Sequence, residues 1–304
     1  MSLERLRAAH ANLTEIMRLH GLAAAGTPAS APAVSRDDLP LATCHVDEAA
    51  EVLVVGLAAE AAADTARHVP LIEWLADGAP ARLTYVRVVR DGAPSKKEDA
   101  RPLWGGVRMS SSGTTNVVIR QHGGAVQVIA SSHVVGPGIG QSVGQSATSS
   151  KYGEVIKNPS LGNRRSDSAL TSITNRRIQG APYQIWRAPD EAFTVKGFVT
   201  SADTPVGLAV WMQGAQTEAL QGGGILRTNV TVTDSRGTLV NQVYASYAAQ
   251  SGDSGAPVFY LTFEDGAVVY TGIHVGRIIE NDQEISFYSP WEGVRDDLGL
   301  TLDL

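Results

Sequence analysis

A chain of 304 residues, 43% hydrophobic and 18% charged, is too long for one small module and has the make-up of an ordinary globular protein. Its formal net charge of −6 argues against bulk nucleic-acid binding, which needs a basic face. Its 31 glycines favour a turn-rich β architecture, and its one cysteine, Cys44, excludes an intrachain disulfide framework and leans towards a reducing compartment.

The opening, MSLERLRAAHANLTEIMRLHGL, interleaves acids and bases with leucines and has no continuous apolar core, so it does not read as a signal peptide. The most apolar run, Val52 to Ala59, is interrupted by Glu60, so nothing reads as a membrane span. The expected location is the cytoplasm. Within residues 1–24, Leu3, Leu6, Leu13, Ile16, Met17 and Leu19 recur at helical spacing and predict an amphipathic helix. Such a helix either packs on its own domain or docks on a partner. Residues 25–45, rich in Pro, Ala and Ser, read as a linker.

Residues 46–92 read as a small β-α-β unit: a strand at EVLVVGLA, a helix through EAAADTARHVPLIEWLADG, and a strand at RLTYVRVVRDG. Gly56 stands alone where a nucleotide loop needs three glycines, so the unit reads as structural. GAPSKKEDARP is the expected joint to a second domain at 103–304. There, NVVIRQ, AVQVIASS, FTVKGFVT, GLAVWMQG, ILRTNVTVT, QVYASYAA, APVFYLTF and AVVYTGIHV are strand-sized runs parted by turns, as in barrels or sandwiches. The tail SPWEGVRDDLGLTLDL has amphipathic spacing and predicts a helix against them.

One segment carries chemistry: Gln250-Ser251-Gly252-Asp253-Ser254-Gly255-Ala256-Pro257-Val258. A serine flanked by glycines on a tight turn can present its Oγ while nearby backbone N–H groups receive an oxyanion. A side chain at Gly252 would crowd the incoming carbonyl. The competing nucleophile elbow needs G-x-S-x-G, and residue 256 is alanine. A nucleophilic serine needs a base, and the base needs an orienting carboxylate. His133, in VIASSHVVG, ends an apolar strand and is the candidate base. Of the aspartates between them, only Asp167 precedes an apolar step (SDSALTSI) suited to burying a carboxylate. Asp190, Asp203 and Asp234 lie in turn-like settings, and Asp253 adjoins the serine and should point away from it.

The order His, Asp, Ser and its surroundings resemble the chymotrypsin/trypsin-like serine peptidase family. SSHVV resembles the motif around the base, DSAL the segment of the aspartate, GDSGAPV the nucleophile motif, and TGIHVG the strand lining the substrate cleft. The departures are Ser168, where an aliphatic is commoner, and Val275, where many members carry a triad-supporting serine. Residues 103–135 look like an intracellular plant and bacterial branch that also carries a β-α-β segment ahead of its barrels. The resemblance implies a mainly β, two-barrel chymotrypsin-like fold preceded by a small α/β segment.

It also implies a serine endopeptidase acting on protein or peptide substrates, with Ser254 as nucleophile, His133 as acid and base, and Asp167 orienting the imidazole. The N–H groups of Gly252 and Ser254 would form the oxyanion hole. No metal or cofactor is required, and the scattered His10, His20, His45, His68 and His122 form no H-E-x-x-H. The alternative is a latent or inactive fold serving as a binding scaffold. In trypsin-like relatives the residue matching Asp253 can pair with a freed amino terminus. For substrate choice, Ala248 at the expected pocket floor and its neighbour Ala249 carry no charge, which disfavours a Lys or Arg preference. GIHVG resembles the strand of bacterial glutamyl endopeptidases and picornavirus-type main proteases. That resemblance implies His274 as the partner of a substrate Glu, with Gln second, aided by Ser251 and the field of Arg277.

Overall fold

A computed structural model describes residues 3–24, 41–48, 50–58, 79–90, 102–110, 112–145, 150–159, 164–188, 191–217 and 219–302. The expected helix at 60–78, most of the linker, most of the 92–102 joint and Asp190 lie outside these.

The first sheet is antiparallel and runs β6 (Gly113–Thr114), β5 (Arg108–Met109), β9 (Ser142–Gln145), β10 (Ser150–Lys157), β11 (Ser168–Ser172), β8 (Val126–Ser131), β7 (Val118–Arg120). Alternation along a strand sends successive side chains to opposite faces. Val128, Ala130, Val118 and Ala169 therefore share one core with Tyr152 and Val155. Ile129, Ile119 and Leu170 face another, with Phe193, Tyr270 and Trp291. That is why these runs are apolar without clean alternation. Strands β4 (Leu103–Gly105), β12 (Gly180–Ala188) and β13 (Glu191–Phe198) bridge the two halves, since β12 pairs with β4 and β13 pairs with β18 (Ala267–Glu280).

The second half closes on itself. β14 (Ala209–Met212), β15 (Gln221–Asp234), β16 (Gly237–Ala245), β19 (Gln283–Pro290), β18 and β17 (Pro257–Leu261) pair in that order, and β17 returns to β14. Val210, Met212, Ile225, Val243, Tyr247, Val258 and Tyr288 fill the ring. The closing helix α3 (Trp291–Leu298; α2 is the short turn Ser132–Val135) buries Trp291, Val294 and Leu298 in the core between the halves.

The N-terminal strands do not form a sheet of their own. The segment read as linker to residue 45 becomes strand at Leu41, because β1 (Leu41–Asp47) pairs with β15 on one side and β2 (Val52–Ala58) on the other. β2 runs parallel to β3 (Ala81–Arg90), and β3 pairs antiparallel with the far end of β18. The long strands β15 and β18 thus carry a second closed layer, with Val86, Val232, Val275, Ile278 and Phe287 inside. Helix α1 (Leu3–Ala24) lays Leu6, Ala9, Leu13 and Met17 on Leu41, Cys44, Leu53 and Val55. At Gly56 a Cβ would stand 2.1 Å from Thr43 Oγ1, so the missing side chain serves β1–β2 packing. Among the described residues no helix is long and apolar enough to cross a membrane.

Candidate active site

The site lies where the two halves meet. Strand β8 ends at Ser131, and the turn α2 swings His133 towards the second half. Strand β11 pairs with β8 so that Ser168 faces Ser131, which sets Asp167 beside the histidine. His133 Nδ1 bonds Asp167 Oδ2, and His133 Nε2 lies 3.0 Å from Ser254 Oγ. Ser254 Oγ also lies 3.1 Å from the carbonyl of Val275. Asp167 and Ser254 are buried, and the His133 side chain is only 3% exposed.

The carboxylate of Asp167 is held on every side. Ser131 Oγ donates to Oδ2 at 2.8 Å, the His133 N–H reaches Oδ1 at 3.3 Å, and Arg164 Nη2 reaches Oδ1 at 3.2 Å. Arg164 is itself fixed by Ser132 Oγ and the carbonyl of Pro159. Just before Asp167, Asp297 accepts from the N–H groups of Arg165 and Ser166 and from Ser166 Oγ, while burial pushes the Asp297 carboxyl above its ordinary range. Val275 is an apolar core residue, so support for Asp167 comes from Ser131 and Arg164 instead of a serine at that position. Ser168 bonds Ser166 Oγ at 2.6 Å.

The nucleophile turn is latched to the first half. Thr114 donates its N–H to Ser254 O at 2.9 Å and its hydroxyl to Gly252 O at 2.9 Å. Asn116 Nδ2 holds Gly255 O at 2.9 Å. Gly252 has φ +109°, and at Gly255 (φ +95°) a Cβ would stand 2.2 Å from Thr114 O, so glycine is required at both. Asp253 points away from the serine into the core. Its Oδ1 accepts from the N–H groups of Gln216 (2.9 Å) and Thr217 (3.2 Å), and its Oδ2 from that of Gln250 (2.8 Å). Three backbone donors therefore hold its carboxylate.

The other candidates are placed as follows. His274 is buried, with Nδ1 3.0 Å from the hydroxyl of Tyr247 and the two rings edge to face. Ala248 is exposed, Ala249 buried and Ser251 half-buried. Arg277 is paired to Glu284 at 2.8 Å. Asp203 accepts from Thr200 Oγ1 at 2.8 Å in an exposed turn, and Asp234 accepts from the Arg236 N–H in another. Among the described residues no cluster of His, Cys, Asp and Glu is arranged to hold a metal ion. Sequence reasoning missed Arg164, Ser131, Thr114, Asn116 and Tyr247. Only Ser131, two residues from the histidine, carried a signal.

The architecture is the chymotrypsin-like fold of serine proteases. Among solved structures the chain is similar to Thermobifida fusca protease A, with 23% identity and a TM-score of 0.52 over 67% of this chain and 98% of that one. It is similar to a Nocardiopsis protease, with 20% identity and a TM-score of 0.52 over 67% of this chain and 100% of that one. It is also similar to a glutamic acid-specific serine protease that uses a histidine triad in substrate binding, with 18% identity and a TM-score of 0.53 over 66% of this chain and 100% of that one. No protein-family model and no curated protein matches the chain.

Proposed function

We propose that this protein is a serine endopeptidase that cleaves peptide bonds through an acyl-enzyme. The observation that carries the reading is the unbroken contact from Asp167 through His133 to Ser254 Oγ, 3.0 Å from the imidazole. Ser254 attacks the scissile carbonyl and His133 Nε2 takes its proton, later returning it to the leaving amine. Asp167, bonded at Nδ1, holds the imidazole's tautomer and stabilises its cation. The N–H groups of Gly252 and Ser254 receive the oxyanion, on a turn that Thr114, Asn116 and Asp253 hold in shape.

The preferred residue before the scissile bond is glutamate, then glutamine, with His274 as its partner. Support comes from the uncharged Ala248 and Ala249 and from the Tyr247 hydroxyl that fixes the His274 ring. A Glu-specific protease that uses a histidine triad in substrate binding shares the fold, and here the ring packed on His274 is that of Tyr247.

The test is a small fluorophosphonate incubated with the full chain, with the adduct mapped by mass spectrometry. Labelling of Ser254, lost in His133→Ala, is the expected result. A folded chain whose Ser254 stays unlabelled overturns the reading.

A further inference from the structure

Strand β18 has two edges, and their occupants can be read from the pairing. At Gly272 and Ile273 it is flanked by β17 on one edge and by β19 on the other. From Gly276 to Glu280 it is flanked by β19 and by β3. β19 keeps its edge throughout, so β3 lies on the edge of β17. Between them, on that edge, sits the nucleophile turn: Gly255 N–H donates to His274 O at 2.9 Å, and Ser254 Oγ lies 3.1 Å from Val275 O. Along one edge the order is therefore β17, Ser254, β3.

Polarity completes the picture. Arg90 faces Gly276 and Val86 faces Glu280, so β3 runs antiparallel to β18 with its C-terminal end towards Ser254. An extended peptide laid on this edge as an antiparallel strand, with its C-terminal end at Ser254, would bring its carbonyl to Oγ and meet the stretch from Gly276 onward. Strand addition to a sheet edge is a general way to bind an extended peptide.

The geometry points to β3 as an internal occupant of the substrate-binding edge: the chain carries its own competitor for extended peptides, and peptide substrates bind only when residues 86–90 leave β18. This rests on the peptidase reading.

Two full-length variants test it, Val88→Pro and Val89→Pro. In an antiparallel ladder only one of two adjacent residues directs its N–H at a given neighbour, so one of these prolines breaks the β3–β18 ladder and the other spares it. The expected result is a KM for a hexapeptidyl p-nitroanilide, with glutamate before the scissile anilide bond, that falls about tenfold or more in one variant, as loss of a self-docked competitor requires. Fluorophosphonate labelling of Ser254 should stay unchanged. That small probe needs the triad but not the edge, so absent labelling indicts the peptidase reading. Normal labelling with equal KM in wild type and both folded variants overturns the competitor. Should the prolines impair folding, hydrogen exchange on the full-length Ser254→Ala chain decides. Faster exchange at residues 86–90 with bound hexapeptide supports displacement, and undiminished protection overturns it.

Discussion

Arg164 Nη2 lies 3.2 Å from Asp167 Oδ1, with both side chains almost wholly buried. The guanidinium also reaches Ser132 Oγ and the Pro159 carbonyl, so it ties the segment bearing the aspartate to the turn bearing the histidine. Removing one partner of a buried pair leaves an uncompensated charge. Arg164→Met should therefore lower unfolding stability by about 3–5 kcal/mol. Arg164→Lys should recover only part of this, since one ammonium cannot reproduce the planar fork. Urea unfolding in a Ser254→Ala background, free of self-digestion, measures both. Wild-type midpoints for Arg164→Met would show that Arg164 is dispensable.

Asp253 is also buried, but its three partners are backbone N–H groups, which only an acceptor can satisfy. Asp253→Asn keeps the shape and turns one oxygen into a donor that would face an N–H. Hydrogen bonds to charged groups contribute about 1.5–3 kcal/mol, so turnover should fall about 10- to 100-fold as the oxyanion turn loosens. Burst-phase ester hydrolysis reads the acylation step directly. With Asp253 already held by three backbone N–H groups, the intact chain is expected to label at Ser254 without prior cleavage. Labelling that appears only after proteolytic nicking would contradict this.

Much of the site was legible because its motifs are local. GDSG, SSH and DSAL each encode a turn or strand end, and their order along the chain suffices to propose a triad. The strands with continuous apolar runs, β8, β15, β17 and β18, were legible for the same reason. β10 (SKYGEVIK), β12 (GAPYQIWRA) and β19 (QEISFYSP) were not. They mix glycine, proline and polar residues, and their neighbours hold them in place more than their own propensity does. β1 was hidden behind a proline-rich stretch. The pairing of β3 with β18 links positions far apart in sequence, and no local pattern announces such contacts. Arg164 was invisible for a like reason, since its partners exist only once the fold has formed.

His45 is a buried histidine outside the site, and among the described residues neither ring nitrogen has a hydrogen-bond partner. Burial, reinforced by the charges of Arg227 and His10, pushes its pKa down from 6.5 to about 3. The unfolded chain then binds a proton that the folded chain refuses. Stability is unaffected above about pH 6.5 and declines as pH falls from there towards about 3, by at most about 1.4 kcal/mol per pH unit from this group. His10 is shifted in the same direction by burial. His45→Phe should flatten the acid side of a plot of unfolding free energy against pH. An unchanged slope between pH 6 and 4 would rule out His45 as its source.

The specificity reading turns on Tyr247 and His274, 3.0 Å apart from hydroxyl to Nδ1 and both buried. With Nδ1 engaged by the tyrosine, the proposed donor to a substrate carboxylate or amide oxygen is Nε2–H. A charge-assisted bond of this kind contributes about 1.5–3 kcal/mol, so His274→Ala should cut the preference for Glu over Leu by about 10- to 100-fold in kcat/KM. Tyr247→Phe keeps the ring packing and removes only the hydroxyl. It should cost less, about 3- to 10-fold, the share of a neutral hydrogen bond, and narrow the gap between Glu and Gln. Both changes should appear in the ratio between substrates, while Ser254 labelling stays near wild type, since side-chain substitution keeps the His274 backbone to which the nucleophile turn bonds. A peptide-library profile led by Arg, Lys or large aromatics would refute the glutamate reading. So would a His274→Ala variant with an unaltered Glu:Leu ratio, which would make His274 a packing residue beneath the cleft.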